Sequence, residues 1–233
     1  MDIAEGEIVA LVGESGSGKT ITALSITRIL PKTAQIISGE VIFQNQDLLK
    51  VSDTQIEAIR GRDISYIFQE ASASLNPVLT IGRQITESIM LHQKKDKNEA
   101  RELALDLLKL VHLRHPETIF KSYPHQLSGG MNQRVMISIA LSSRPKLLIA
   151  DEPTTALDVT IEKEIIRVLL ELKEKLNYSI LFITHNLALI QEFAHKIAIM
   201  YKGRIVETAA PKTIFSSAQH PHTQELISSV IRL

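Results

Sequence analysis

Gly13-Glu14-Ser15-Gly16-Ser17-Gly18-Lys19-Thr20 lies between an apolar run, Ile8 to Val12, and a segment of helical pattern at residues 21–30. A strand, a glycine-rich turn and a helix, in that order, are what a phosphate cradle requires. The glycines let backbone N–H groups turn inward around phosphate oxygens, and the helix N-terminus adds the positive end of its dipole. Lys19 supplies a point charge, and the Thr20 hydroxyl can reach Mg²⁺. A flexible Gly/Ser turn has no reason to match G-x-x-x-x-G-K-T between a strand and a helix. The stretch therefore reads as a nucleoside triphosphate site contributed by Gly13, Glu14, Ser15, Gly16, Ser17, Gly18, Lys19 and Thr20.

Composition narrows the classes. The chain has 233 residues, 44% hydrophobic and 22% charged, which is room for one large α/β core and a small subdomain. With no cysteine, a disulfide scaffold, a thiolate zinc site and an iron–sulfur cluster are excluded, and a reducing cytoplasm is permitted. Twenty-six basic residues balance twenty-six acidic ones, so nothing marks the whole surface for nucleic acid or anionic lipid. Residues 1–5 show no basic region followed by an apolar one. No apolar run approaches the roughly 18 to 20 residues of a membrane span, so any membrane link is expected to run through another chain.

Short β-branched runs alternate with longer helical patterns and no internal repeat is visible, which predicts parallel-sheet α/β architecture. Strands are expected at residues 8–12, 41–43, 64–68, 147–150, 180–184 and 197–201, the last turning at Lys202-Gly203 into a hairpin with 204–207. Between Glu70 and Ser143 the period changes. Ile85, Ile89 and Met90, then Leu103, Leu107, Leu108 and Val111, recur at helical spacing and predict a helical insertion, with residues 93–99 as a solvated loop. The expected organisation is an α/β core from residues 1–69 and 144–210, a helical subdomain at 70–143 and a helical tail at 211–233. His220-Pro221-His222 in that tail lacks a third ligand nearby and is expected to be a surface turn rather than a metal site.

Leu147-Leu148-Ile149-Ala150-Asp151-Glu152-Pro153 is an apolar strand that delivers two carboxylates at its C-terminal tip, the edge where open α/β sheets bind ligands. Asp151 is placed for the Mg²⁺ shell. Glu152, one residue on and pointing elsewhere, can polarise a water for attack on a γ-phosphate. Upstream, Leu127-Ser128-Gly129-Gly130-Met131 precedes a helical run at 135–141 and puts a second anion-binding turn at a helix N-terminus. One nucleotide hardly needs two cradles from one chain. Two chains meeting head to tail would use both, with Ser128, Gly129 and Gly130 of one closing over the γ-phosphate held by the lysine loop of the other.

At this point the chain resembles the ATP-binding cassette (ABC) ATPases, essentially from end to end. Gly13 to Thr20 matches their Walker A loop, Gln69 their Q-loop glutamine, and Leu127 to Met131 their signature motif. Leu147 to Asp151 with Glu152 matches Walker B and the catalytic glutamate, Thr155-Ala156-Leu157-Asp158 the D-loop, and His185 in Ile183-Thr184-His185 the switch histidine. The resemblance implies a P-loop NTPase (RecA-like) core with a mixed sheet and an inserted α-helical subdomain. It also implies ATP with Mg²⁺ held by Thr20, Gln69 and Asp151, and catalytic roles for Glu152, His185, Gln69 and Lys19. Alone, Gln69 would read as a polar strand end and His185 as a turn histidine; motif order and spacing overturn both readings. An amide there can sense Mg²⁺ or the attacking water, and a neutral imidazole can hydrogen-bond the γ-phosphate. Asp158 is expected to arrange a dimer contact, and His125 to pack or cap locally.

Within that family the chain is most similar to the ATPases of dipeptide, oligopeptide and nickel importers. The carriers are Phe68-Gln69-Glu70, Ser74-Leu75-Asn76-Pro77, Tyr123-Pro124-His125-Gln126, Gln133-Arg134-Val135-Met136-Ile137 and the segment 150–160. Met131 stands where most signatures carry Gln, a mark of subtype. Twelve residues precede Gly13, where relatives place upstream strands and an adenine-stacking aromatic, and the chain stops at Leu233 without a cysteine-containing extension. A shortened chain with weakened stability and nucleotide affinity is therefore expected. The resemblance implies an ATPase peripheral to the cytoplasmic face of a membrane, working with a second ATPase subunit, two permease subunits and, indirectly, a solute-binding protein. It implies no nucleic-acid partner, since repair relatives carry coiled-coil or zinc insertions and translation relatives two cassettes. A non-hydrolytic regulator would be expected to lack Glu152 or His185. The surface for the membrane subunits is expected at residues 69–80.

Overall fold

The computed structural model describes residues 1–155 and 157–231; Ala156 of the D-loop match and the tail residues Arg232 and Leu233 lie outside the described residues. The chain divides into two compact units, Met1–Arg60 with the chain from Ser179 onward, and Gly61–Tyr178.

In the first unit the apolar run 8–12 is strand β1 (Ile8–Val12), with every residue buried. Its continuous apolar character follows from neighbours on both edges, as for a strand inside a parallel sheet. The first unit continues with helix α1 (Lys19–Ile26), the short hairpin of β2 (Ile42–Phe43) and β3 (Gln46–Asp47), and helix α2 (Asp53–Ile59). After these, the second unit contributes β4 (Ile64–Ile67), α3 (Ala71–Ser74), α4 (Ile81–Gln93), α5 (Lys97–Leu110), α6 (Pro116–Lys121), a 3₁₀ turn (Pro124–Gln126), α7 (Gly129–Leu141), β5 (Leu147–Asp151) and α8 (Val159–Leu176). The chain then returns to the first unit with β6 (Ser179–Thr184), α9 (Leu187–Ile190), β7 (Lys196–Tyr201), β8 (Arg204–Ala209), α10 (Pro211–Ser217) and α11 (Pro221–Ile231).

Strand β1 pairs in parallel with β6 on one edge and β7 on the other, and β8 runs antiparallel to β7. The sheet is therefore mixed, and the antiparallel hairpin turns at Lys202 and Gly203, both with positive φ. In the second unit β4 and β5 are parallel, and four α-helices and a 3₁₀ turn between α3 and β5 confirm the helical insertion. Ile85, Ile89, Leu108 and Val111 of the helical pattern are buried, whereas Met90, one step round from Ile89, is exposed.

Two expectations need correction. Residues 93–99 are not all loop, because α5 begins at Lys97. Asp96 accepts the N–H groups of Asn98 and Glu99 while the Glu99 carboxylate accepts the Asp96 N–H, a capping box that starts the helix early. His220-Pro221-His222 is not a surface turn throughout. Pro221 opens α11, and His222 is 4% exposed against Tyr201. The two-residue strand β3 had no apolar signal in the sequence; its hairpin rests on Gln44 and Asn45, both at positive φ as a tight two-residue turn demands.

Candidate active site

The lysine loop belongs to the first unit and runs from the end of β1 into α1. A Cβ added at Gly13 would lie 2.2 Å from the Met200 carbonyl oxygen, so only glycine lets the loop leave the sheet there. Gly18, at φ 105°, takes the N-cap position of α1, and no side chain caps the helix. A helix start without a side-chain cap is the kind of place a phosphate can fill. Lys19 is 5% exposed. Its ammonium donates to the Gly13 carbonyl at 2.8 Å and the Glu14 carbonyl at 3.0 Å, which folds the charge back over the loop. Ser17 is buried, Glu14, Ser15 and Gly16 are exposed, and Thr20 stands exposed in the first turn of the helix. A second support comes from the β7–β8 turn, where the Gly203 N–H donates to the Ser17 carbonyl at 2.9 Å. His185, also in this unit, is exposed one residue past β6. The chain bends away behind it because Thr184 Oγ1 accepts the Asn186 N–H at 3.0 Å and Asn186 caps α9.

The carboxylates belong to the second unit. Strand β5 ends at Asp151, which is 6% exposed. Glu152 follows at φ 46°, a left-handed conformation that costs a non-glycine residue about 1–2 kcal/mol. One Glu152 oxygen, Oε2, collects two donors. Thr155 Oγ1 donates at 2.8 Å, and Gln69 Nε2, two residues past β4, reaches it at 3.5 Å. Gln69 and Glu152, far apart in sequence, are thus brought together. The role of Thr155 was not visible in the sequence, where a hydroxyl three residues on carries no distinctive signal.

Ser128 is the N-cap of α7, its hydroxyl accepting the Met131 N–H at 3.3 Å. Gly129 and Gly130 form the first turn of that helix. Glycine is required at 130 by packing, since a Cβ there would lie 2.8 Å from Ile161 Cγ2 of α8. Asp158 spends its carboxylate as the N-cap of α8, accepting from the Ile161 N–H at 3.0 Å. His125 stacks on Tyr123 at 5.6 Å between ring centroids, in accord with a local packing role.

The second unit also carries a cleft of about 550 Å³ lined by Tyr66, Phe68, Leu75, Leu79, His92 and Met136. Burial, and then the Arg62 charge, hold His92 below the ordinary imidazole value, so the wall it forms is uncharged at neutral pH.

Comparison with known proteins decides the family. Residues 1–155 match the family model described as ABC transporter. The chain belongs to the ABC transporter family. This ABC subunit is 48% identical over 229 residues to a probable peptide ABC transporter ATP-binding protein of Sinorhizobium fredii, a match covering 98% of the chain and 68% of the relative. It is 50% identical over 229 residues to an oligopeptide transport ATP-binding protein of Bacillus subtilis, covering 98% of the chain and 70% of that relative. Among solved structures, the ABC subunit is similar to a dimeric ATP-binding cassette in a post-hydrolysis state bound to ADP and Pi. That likeness has a TM-score of 0.79 and 29% identity, covering 91% of the chain and 88% of the other. Family and fold together make the ABC subunit an ATPase of the P-loop NTPase class. Among its described residues no helix is long and apolar enough to cross a membrane.

Proposed function

We propose that this ABC subunit hydrolyses ATP to power peptide uptake through partner membrane subunits. The observation that carries the reading is the lysine loop: a glycine with no room for Cβ, an uncapped helix start and a buried lysine within reach of the loop's own carbonyls. In this reading the amides of residues 13–20 hold the β- and γ-phosphates, and Lys19 exchanges its carbonyl partners for phosphate oxygens. Thr20, Gln69 and Asp151 offer the hard oxygen ligands that suit Mg²⁺, which supplies charge neutralisation on the phosphates. Glu152 takes the proton of the attacking water, with Gln69 orienting that water and Thr155 fixing the carboxylate. His185 donates a hydrogen bond to the γ-phosphate as its charge develops. Ser128, Gly129 and Gly130 act in trans, closing over the nucleotide of a second ATPase subunit.

The solute reading comes from the relatives, whose names specify peptide and oligopeptide transport; nickel complexes are the alternative cargo. The subunit works peripherally at the cytoplasmic face of the membrane with two permease subunits, and a solute-binding protein acts upstream of them. The helical segment 70–143 carries the signature turn, and residues 69–80, which border the cleft lined by Phe68, Leu75 and Leu79, form the permease contact. Phosphate release from Mg-ATP by wild type and by Lys19→Ala tests the enzymatic half. The variant should lose both turnover and nucleotide binding, and affinity retained within about threefold would contradict the role of Lys19. Uptake of labelled oligopeptide and of labelled nickel by proteoliposomes holding the assembled transporter tests the cargo, and uptake of nickel alone would overturn the peptide reading.

A further inference from the structure

We propose that His222 is a positioning residue for the phosphate loop, acting through Tyr201 and the β7–β8 turn; the inference rests on the ATP-binding reading above. The loop takes its shape from the end of β7. Gly13 approaches Met200 so closely that a Cβ would sit 2.2 Å from its carbonyl oxygen, a Cβ at Gly18 would meet the Gly203 Cα at 3.7 Å, and the Gly203 N–H holds the Ser17 carbonyl at 2.9 Å. Residues 200–203 are therefore the template against which the phosphate-binding amides are set.

Tyr201 sits at the centre of that template, and its ring is covered by His222, with centroids 4.0 Å apart and planes inclined by 30°. The Lys202 ammonium lies 4.9 Å from the same ring centroid. His222 is in turn fixed to the sheet. The Glu207 carboxylate of β8 accepts the N–H groups of Gln219 at 2.9 Å and His220 at 3.1 Å, and the His222 N–H donates to His220 Nδ1 at 3.2 Å. The helix whose first turn holds His222, α11, also packs against α9, which starts two residues after His185. One helix thus rests on both the turn beneath the lysine loop and the element behind the histidine.

Chemistry separates positioning from the other uses of a buried histidine. Among the described residues no group of three potential ligands gathers to hold a metal. His222 Nε2 is buried without a hydrogen-bond partner, and Nδ1 faces only the exposed Glu225 carboxylate at 3.5 Å. The face of the ring is what the fold uses. An aromatic pair of this kind is worth about two- to tenfold in an equilibrium, so losing it should loosen the turn, and with it the loop, by a factor of that order.

The test measures the dissociation constant of a fluorescent ATP analogue, the kcat and KM for ATP, and the melting temperature. It compares wild type, His222→Phe, His222→Leu, His222→Ala, Tyr201→Ala with and without His222→Leu, and the Lys19→Ala control. His222→Phe keeps the ring and should bind within about twofold of wild type. His222→Leu keeps apolar volume without a ring and should bind about two- to tenfold more weakly, with KM raised by the same factor and kcat less affected. His222→Ala should match or exceed that loss. In Tyr201→Ala, the further change His222→Leu should add nothing to the weakening. Binding by His222→Leu equal to wild type, or losses at 201 and 222 that simply add, would overturn the inference while the Lys19→Ala control still reports the ATP site. Absence of binding by wild type would overturn this inference and the ATP reading together.

Discussion

Thr155 Oγ1 donates to Glu152 Oε2 at 2.8 Å, so the acid after β5 is held by a hydroxyl three residues along its own turn. The backbone reinforces the arrangement, since the Thr155 N–H donates to the Glu152 carbonyl at 3.2 Å. A carboxylate on a left-handed residue is pinned from both its main chain and its side chain. Thr155→Val keeps the shape and removes the donor. ATP hydrolysis should fall about three- to tenfold in kcat with KM little changed, because in the proposed mechanism Glu152 loses orientation as the base while the lysine loop is untouched. Steady-state kinetics check this, and an unchanged kcat would remove Thr155 from the site.

Gly13 has a backbone neighbour that cannot step aside. A methyl group 2.2 Å from the Met200 carbonyl oxygen must push either β1 or β7. Gly13→Ala should destabilise the chain by about 2 kcal/mol or more and weaken ATP binding at least about tenfold in whatever protein remains folded. Thermal melting and binding of a fluorescent ATP analogue measure the two effects, and wild-type affinity in a stable Gly13→Ala protein would contradict the close approach.

Gly130 separates packing from ligand contact. The Ile161 Cγ2 that a new Cβ would strike at 2.8 Å sits on a β-branched side chain with little rotamer freedom. Gly130→Ala should cost about 1–2 kcal/mol of stability. In an Ile161→Leu background, which moves the branch one carbon outward, the same change should be neutral or stabilising, since alanine is the better helix former. Denaturant unfolding of the four proteins decides it; an undiminished penalty in the Leu background would show that Ile161 is not the constraint.

Tyr178 is buried, donates its hydroxyl to the Leu169 carbonyl at 3.0 Å, and burial pushes its phenol well above the ordinary value. The folded chain holds that proton more tightly than the unfolded one. Its contribution is fully present below about pH 10, the unfolded value, and declines as pH rises beyond it. Tyr178→Phe should cost about 1 kcal/mol at pH 7, and the gap to wild type should narrow above about pH 10. A gap that widens with pH would show that the sign of the shift is wrong.

Much of this was legible in order and spacing. The glycines, Lys19 and Thr20 between an apolar run and a helix point to a phosphate loop, and the structure places them between β1 and the start of α1. Gln69 and Glu152 are single polar residues at strand ends, and their meeting at 3.5 Å follows once β4 and β5 are parallel neighbours. Other features depend on distant partners. Gly130 answers to Ile161, Gly13 to Met200, and His222 to Tyr201, and no local pattern encodes which residue arrives opposite. The capping box of Asp96 and Glu99 is a different case. Its spacing stands plainly in the sequence, but a polar composition masked it as loop.

In the proposed function this ABC subunit hydrolyses ATP with Glu152 as the base, in a head-to-tail pair. Glu152→Gln preserves volume and hydrogen bonding while removing the charge that takes the water's proton, so it isolates the chemical step. The decisive measurement is single-turnover hydrolysis of radiolabelled Mg-ATP by wild type and Glu152→Gln. It is run alone and with a homologous second ATPase, with bound nucleotide and association state followed on the same samples. Glu152→Gln should retain ATP, hydrolyse it about a hundredfold or more slowly, and associate in an ATP-dependent way that Ser128→Arg abolishes. Hydrolysis by Glu152→Gln at the wild-type rate under both conditions would contradict it.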